Sequence, residues 1–399
     1  MSAAPSETLA AGSPQDTIQA GQHIIFRNES EAPGPTLIAI GSLHGNEAAG
    51  VNALFRVTGK LQAKRDRICG RVVFLAGNTR ALRRGERFID SDLNRYWTQE
   101  NITRNRQKNV DRLFSEDLEQ TELLEILDDL IATASDEVYI LDLHSTSAEG
   151  EPFATVGDTM RNRHFVQKFP ITILLGIEEQ LDGTLLEFLN NRGAVTLGFE
   201  AGQHYAVSTI DNHEALVWMA LVESKVLGRD AVPEIDHWRE VLLRAAGKPR
   251  IIEVRYRHPI HPEQNFQMRP GFQNFDPVDR RQLLADDIDG GIYAQEKGLI
   301  LMPLYQKLGD DGFFLGREVA PFWLWLSEMV RRLDLGRFMH FLPGVRPSLT
   351  DADTLEVDTT VARFFPLQIF HLLGFRRLRW KNRKLAVSRR KHDTASPFV

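Results

Sequence analysis

The sequence predicts an α/β fold: a mixed, largely parallel sheet flanked by helices, followed by a smaller C-terminal β domain. Three observations carry that expectation. Short apolar runs alternate with helical stretches over the first 247 residues, as βα units require. The candidate chemical groups His44, His144 and Glu200 each follow such a run, and open α/β sheets bind ligands beyond the carboxyl ends of their strands. From about Lys248 the pattern changes to β-rich runs broken by Pro, Gly and Asp.

The predicted strands of the first unit are 22–27, 36–40, 71–76, 138–143, 171–175 and 194–199. An alanine-rich helix is expected over 48–64, an acidic one-sided helix over 109–132 and another over 212–227. In the second unit, 251–257, 292–294 and 298–305 read as strands. The resulting organisation is a flexible leader over 1–22, a catalytic domain over 23–247, a β-rich capping domain over 248–319, and a helical, basic extension over 320–399. The leader reading rests on the absence of Lys and Arg and of a long apolar run in residues 1–22. The extension ends in 375–391, which carries nine Arg or Lys residues and reads either as a solvated basic end, the favoured expectation, or as a surface contacting acidic partners.

Composition narrows the function classes. Apolar residues at 42% and charged residues at 26% support a sizeable core and exclude general disorder. A formal net charge of -6 gives no basic field for nucleic acid, so no nucleic-acid partner is expected. No stretch approaches the roughly 18 apolar residues of a membrane span, so no membrane partner is expected either. The lone Cys69 can form neither an internal disulfide nor a thiolate metal site, which points to a reducing, cytoplasmic setting. A small-molecule substrate is the expected partner, with self-association left open.

Twelve histidines and 54 acids in 399 residues predict about one or two His-x-x-acid matches by chance, and two occur. His237 with Glu240 lies in an amphipathic helical stretch and reads as a solvated face. His44 with Glu47 follows a buried strand through the Gly41–Gly45 turn and opens a helix, where positions i and i+3 face the same way. A catalytic zinc takes three nitrogen or oxygen ligands and keeps one position for water, and His144 is the natural third. Read alone, His144 is explained as well by a structural histidine. Asp142, two residues earlier on the same strand face, is either an acceptor behind that imidazole or a salt-bridge partner. No Gly-x-Ser-x-Gly elbow or Walker loop offers another nucleophile.

Taken together, four motifs in order resemble the succinylglutamate desuccinylase/aspartoacylase family, itself similar in fold to zinc carboxypeptidases. They are His44-Gly-Asn-Glu47, Asn78 with Arg87-Phe-Ile-Asp-Ser-Asp-Leu-Asn94-Arg95, Asp142-Leu-His144-Ser-Thr, and Gly198-Phe-Glu200-Ala-Gly-Gln. The resemblance implies one Zn2+ held by His44, Glu47 and His144, with Glu200 as general base and Arg87 stabilising the oxyanion. It further implies Asn94 and Arg95 as a carboxylate clamp, with Arg192 as the counterpart of a further substrate arginine once a gap is allowed. No residue stands clearly for the family's active-site tyrosine: Tyr305 comes too early, and Phe313-Phe314 occupies the expected region. The implied activity is hydrolysis of the amide bond of a small N-acyl amino acid. A carboxypeptidase acting on short peptides and a non-catalytic zinc- or ligand-binding module are the competing expectations.

Overall fold

The computed structural model describes residues 14–109, 112–305, 309–348, 353–358, 367–381 and 384–398. The first half of the chain supplies strands β1 (Ile24–Glu29), β2 (Thr36–Gly41), β3 (Arg71–Ala76), β4 (Val138–Thr146), β5 (Phe153–Val156), β6 (Thr172–Leu175) and β7 (Val195–Gln203). Between and after them run α1 (Ala49–Leu61), α2 (Thr79–Arg84), α3 (Gln99–Gln107), α4 (Ser115–Ala132), α5 (Met160–Val166), α6 (Leu185–Asn190), α7 (Val207–Glu223) and α8 (Ile235–Ala246). The second half adds β8 (Ile251–Pro259), β9 (Gln267–Met268), β10 (Pro277–Val278), β11 (Leu283–Asp287), β12 (Gly290–Tyr293), β13 (Gly298–Leu301) and β14 (Asp311–Glu318). It ends with α9 (Pro321–Arg332), β15 (Val345–Pro347), β16 (Thr354–Asp358), α10 (Leu367–Leu372), β17 (Phe375–Lys381) and β18 (Lys384–Arg389).

The α/β expectation holds. Eleven strands form one sheet in the order β1-β3-β2-β4-β7-β5-β6-β8-β14-β13-β10. Its centre, β3-β2-β4-β7, is parallel, and β5-β6-β8 is parallel as well, with β5 running against β7. The central strands bury both faces: every residue of β2 is buried, which is why they read as continuous apolar runs. One core cluster packs α1, α7 and α8 on one face, and a second packs α4 and α6 on the other.

Several expectations are refined. Residues 1–13 of the expected leader lie outside the described residues, while Ile18 is buried against Val51, Ala76 and Leu82. The helix expected over 109–132 is α4, beginning at Ser115 behind the separate α3. In the region read as a β cap, β8, β14, β13 and β10 extend the main sheet by backbone pairing, and β9, β11 and β12 form a small sheet beside them. The segment from 320, expected to be helical, also holds a four-stranded antiparallel sheet, β15-β16-β18-β17, around Phe370 and Phe375.

Nor is the basic end simply solvated. Arg390 is buried and paired with Glu178 and Glu179, and Arg376 pairs with Glu187. Arg331 of α9 is buried against Asp158 and Asp393. His371 on α10 reaches Glu179 at 2.9 Å and Glu253 at 3.7 Å. The C-terminal sheet is thus held to the larger one by ion pairs whose acids the sequence scatters from Asp158 to Asp393.

Two outcomes are expected. In His371, burial opposes the charged form, but the neighbouring carboxylates of Glu179 and Glu253 outweigh it and raise the pKa to about 9. A histidine raised in the folded state stabilises fully below its unfolded value of about 6.5 and loses that contribution as pH climbs through about 9. Urea unfolding across pH should therefore show His371→Ala trailing wild type most at pH 6 and converging above pH 9; a constant gap would contradict the pairing. Separately, a Cβ on Gly45 would lie 2.3 Å from the Ala81 carbonyl carbon and 2.5 Å from the Glu86 oxygen, whereas one on exposed Gly59 in α1 meets nothing within 4 Å. Gly45→Ala should cost about 3 kcal/mol by overpacking, and Gly59→Ala should gain up to about 1 kcal/mol, both read by denaturant unfolding.

Candidate metal and hydrolytic site

The site is assembled at the carboxyl ends of β2, β4 and β7. After β2, Ser42 adopts a left-handed φ of 57° and its hydroxyl donates to the Glu47 carbonyl at 3.0 Å, turning the chain so that His44 and Glu47 face inward before α1. On β4, Asp142 and His144 share a face by strand alternation. His144 stands directly across from Glu200 in the parallel register of β4 and β7.

Glu47 is the centre of the arrangement. Its Oε1 meets His44 Nδ1 at 3.0 Å and its Oε2 meets His144 Nδ1 at 3.1 Å, while the Ser145 amide donates to Oε2 at 2.9 Å. The far nitrogens are also held: His44 Nε2 lies 3.0 Å from Asp92 Oδ1, and His144 Nε2 lies 2.8 Å from Asp142 Oδ2. Donor atoms of His44, Glu47 and His144 all fall within 4.8 Å of one another. Burial alone would push Glu47 up, yet His44 and His144 hold it well below the usual carboxylate range, and Asp142 and Glu47 hold His144 well above the usual imidazole value against its burial.

This donor set fits a divalent cation. Two imidazoles, each fixed in orientation by a carboxylate on its outer nitrogen, turn the inner nitrogen to a common carboxylate, as metal-binding histidines commonly do. Another acid-histidine group, His23 with Glu119 and Glu122, does not fit. Arg80 bonds both of its glutamates and the Thr79 amide bonds Glu119, so their lone pairs are already used.

Glu200 completes the site. Its Oε2 is enclosed with no hydrogen-bond partner, and burial, opposed by His144, pushes its carboxyl up to about 8. Arg87 lies between the groups, its Nη2 2.9 Å from His44 Nε2 and 3.0 Å from Asp92 Oδ2, and its Nη1 3.6 Å from Glu47. Asn94 accepts from the Leu185 amide at 3.0 Å and points its Nδ2 toward His144. Arg95 contacts the Asn94 carbonyl and, at 2.9 Å, Asp311 of β14. These side chains line one cleft of about 190 Å3 together with Glu178, Leu186, His204, Phe314 and, from the C-terminal sheet and just after it, Arg376 and Arg390.

Of the eight residues singled out in the sequence, His44, Glu47, His144, Glu200, Arg87, Asn94 and Arg95 come together. Arg192 does not: it follows α6 at a turn, pairs with Asp128 of α4 and lies over the Phe188 ring, outside the cleft lining. Phe314 takes part in the lining, while the Tyr305 hydroxyl is spent on the Phe272 amide. Three contributors went unassigned in the sequence. Asp92 orients His44, Asp311 engages Arg95, and buried Glu116 holds the loop bearing Arg87 and Asp92 through Asn78 Nδ2 and the amides of Ile89, Asp90 and Ser91.

In metal-free protein, carbon-13 NMR of glutamate carboxyls should find one group titrating near pH 8 that is lost in Glu200→Gln. Titration of that group below about pH 5, in the ordinary carboxylate range, would contradict the buried, unpartnered setting.

The chain is similar to known proteins in sequence and in fold. The family model described as succinylglutamate desuccinylase/aspartoacylase catalytic domain matches residues 33–223. A succinylglutamate desuccinylase from Pseudomonas paraeruginosa is 44% identical over 62 residues, 16% of this chain and 19% of that protein. One from Pseudomonas putida is 42% identical over 67 residues, 17% and 20% of the two chains. The matched stretch thus spans about a fifth of those relatives' length. Among solved structures, succinylglutamate desuccinylase/aspartoacylase from Rhodobacter sphaeroides aligns over 72% of this chain and 87% of its own, with TM-score 0.51 and 17% identity. The product-bound ectoine utilization protein EutE (DoeB) from Ruegeria pomeroyi aligns over 73% and 87%, with TM-score 0.51 and 18% identity. At such identities the structural likeness is one of fold.

Proposed function

We propose, from the premise that this chain belongs through residues 33–223 to the succinylglutamate desuccinylase/aspartoacylase family, that it is a zinc-dependent deacylase cleaving the amide bond of a small N-acyl amino acid. The observation that carries this reading is the pairing of the His44-Glu47-His144 donor set with an unpartnered glutamate on the neighbouring strand. A zinc ion held by these three residues would polarise the scissile carbonyl and lower the pKa of water to roughly 7.

The chain's own groups then do the proton work. Glu200 accepts the proton of the attacking water and hands it to the departing amine nitrogen as the carbon–nitrogen bond breaks, leaving an amine and a carboxylic acid. The enclosed Oε2 favours the neutral form, which suits the second transfer, and a cation nearby would favour the ionised form for the first. Arg87 is placed to donate to the oxyanion as it develops. Asn94 Nδ2 and the Arg95 fork are assigned to the substrate carboxylate, with Arg95 sharing its donors between Asp311 and the ligand. Asp311 and Phe314 of β14 and Arg376 of β17 line the cleft, and its volume of about 190 Å3 suits a small molecule, which favours the deacylase reading over action on longer peptides.

Amine release from a panel of N-acyl amino acids tests the proposal. Wild type should release amine. Glu200→Gln should lose about 10²- to 10⁴-fold in kcat, and Arg87→Ala about a hundredfold, both with wild-type zinc content by elemental analysis. His44→Ala should lose metal and activity together. Unchanged turnover in Glu200→Gln would overturn the assignment of the base, and no release from any panel member by zinc-loaded wild type would overturn the deacylase reading.

A further inference from the structure

Helix α9 turns polar groups inward beside Leu324, which packs against the main core. Ser327 donates to the Leu372 carbonyl at 2.9 Å, and buried Arg331 bonds Asp158 at 2.8 Å and the His371 carbonyl at 2.6 Å. The outward face of α9 carries Phe322, Trp325, Met329 and Leu333, spaced three, four and four residues apart and therefore on one side of the helix. Phe322 is 58% exposed, Trp325 57% and Leu333 59%. Trp323 joins them at the Phe322 ring, 5.4 Å between centroids. The 3-10 turns after it, Leu335–Phe341, expose Leu335, Phe338 and Phe341, the last to 74%.

An apolar face of this size requires a reason. At about 200 Å2 per large side chain, these exposed fractions sum to on the order of 800 Å2. That exceeds the largest patch of a typical monomer, about 300–600 Å2. It equals what one partner contributes to a standard protein interface, about 800 Å2 per side. Trp, Phe, Met and Arg are the residue types enriched in such interfaces.

The surrounding charge argues against a lipid surface. Binding to anionic membranes relies on unpaired cations beside the apolar face. Here Arg332 pairs with Glu328, Arg317 approaches Glu253 and Arg389 pairs with Asp334; Arg337, within the patch, has no ion pair among the described residues but lies over the Phe338 ring, and the whole chain carries a net charge of -6. The mixed signs around the patch instead permit the same surface to face itself across a two-fold axis, the commonest symmetry of soluble oligomers.

We propose that the α9 face, with the turns over Leu335–Phe341, is the interface through which two copies of this chain form a symmetric dimer. The inward contacts of α9 anchor it to the body through Asp158 and the α10 carbonyls, so the exposed stripe is presented on a fixed support. The proposal is independent of the reaction assigned to the cleft.

Sedimentation velocity on the full chain, from about 1 to 100 µM, tests it. Wild type should reach twice the chain mass as concentration rises. The variant Phe322→Ser/Trp325→Ser/Met329→Ser should remain monomeric with an unchanged far-ultraviolet circular dichroism spectrum, because the replaced side chains face solvent in one copy. Leu333→Arg, a single change on the same stripe, should weaken association at least tenfold and serves should the triple variant not fold. A wild-type chain that stays monomeric throughout, whether or not it co-sediments with anionic vesicles, overturns the proposal. So does a folded variant that dimerises as wild type does.

Discussion

The geometry of the site depends on one carboxylate. Glu47 sits between two imidazoles and receives a backbone amide from the strand that carries one of them, so the turn after β2 and the end of β4 meet at its two oxygens. In the low-dielectric setting of buried strands, such a carboxylate must be surrounded by donors or by a cation. The sheet supplies the positions: β2 delivers His44 and Glu47 through a left-handed turn, β4 delivers His144, and β7 places Glu200 across from it. Asp92 and Asp142 then fix the ring orientations from outside. Without them each imidazole would be free to rotate its inner nitrogen away, and the donor set would lose its convergence.

The parts of the chain beyond residues 33–223 are coupled to this site by charge. Asp311 of β14 engages Arg95 and also Arg257 of the neighbouring β8. Arg376 of the C-terminal sheet and Arg390, just after its last strand in sequence, pair with Glu187 and Glu178, acids that themselves line the cleft. Removing one member of a buried pair leaves an uncompensated charge, so these contacts set geometry more than they add net stability. The cleft is therefore shaped jointly by residues 33–223 and by the strands C-terminal to them.

How much was legible in the sequence depends on the range over which each signal acts. The central strands were readable because burial on both faces makes continuous apolar runs, and the histidine-glutamate motif because a strand-to-helix turn fixes its local geometry. Resemblance, rather than spacing, tied Arg87, Asn94 and Arg95 to the cleft. Arg192 was misplaced because sequence proximity to Glu200 carries no information about which side of α6 it leaves; it faces Asp128 instead. Glu116 and Asp311 were missed because each acts across a long separation, 38 residues to Asn78 and 216 to Arg95. The joining of β8 and β14 to the main sheet was equally hidden, since edge pairing leaves no local pattern that distinguishes one sheet from two.

The claim on which the account rests is that His44, Glu47 and His144 jointly bind a divalent cation. X-ray absorption at the zinc edge of the loaded protein addresses it most directly. The account predicts two imidazole nitrogens at roughly 2.0–2.1 Å and carboxylate oxygen at roughly 2.0–2.2 Å, with one imidazole contribution lost in His144→Ala. A spectrum without imidazole scattering, or one unchanged by that substitution, would contradict it.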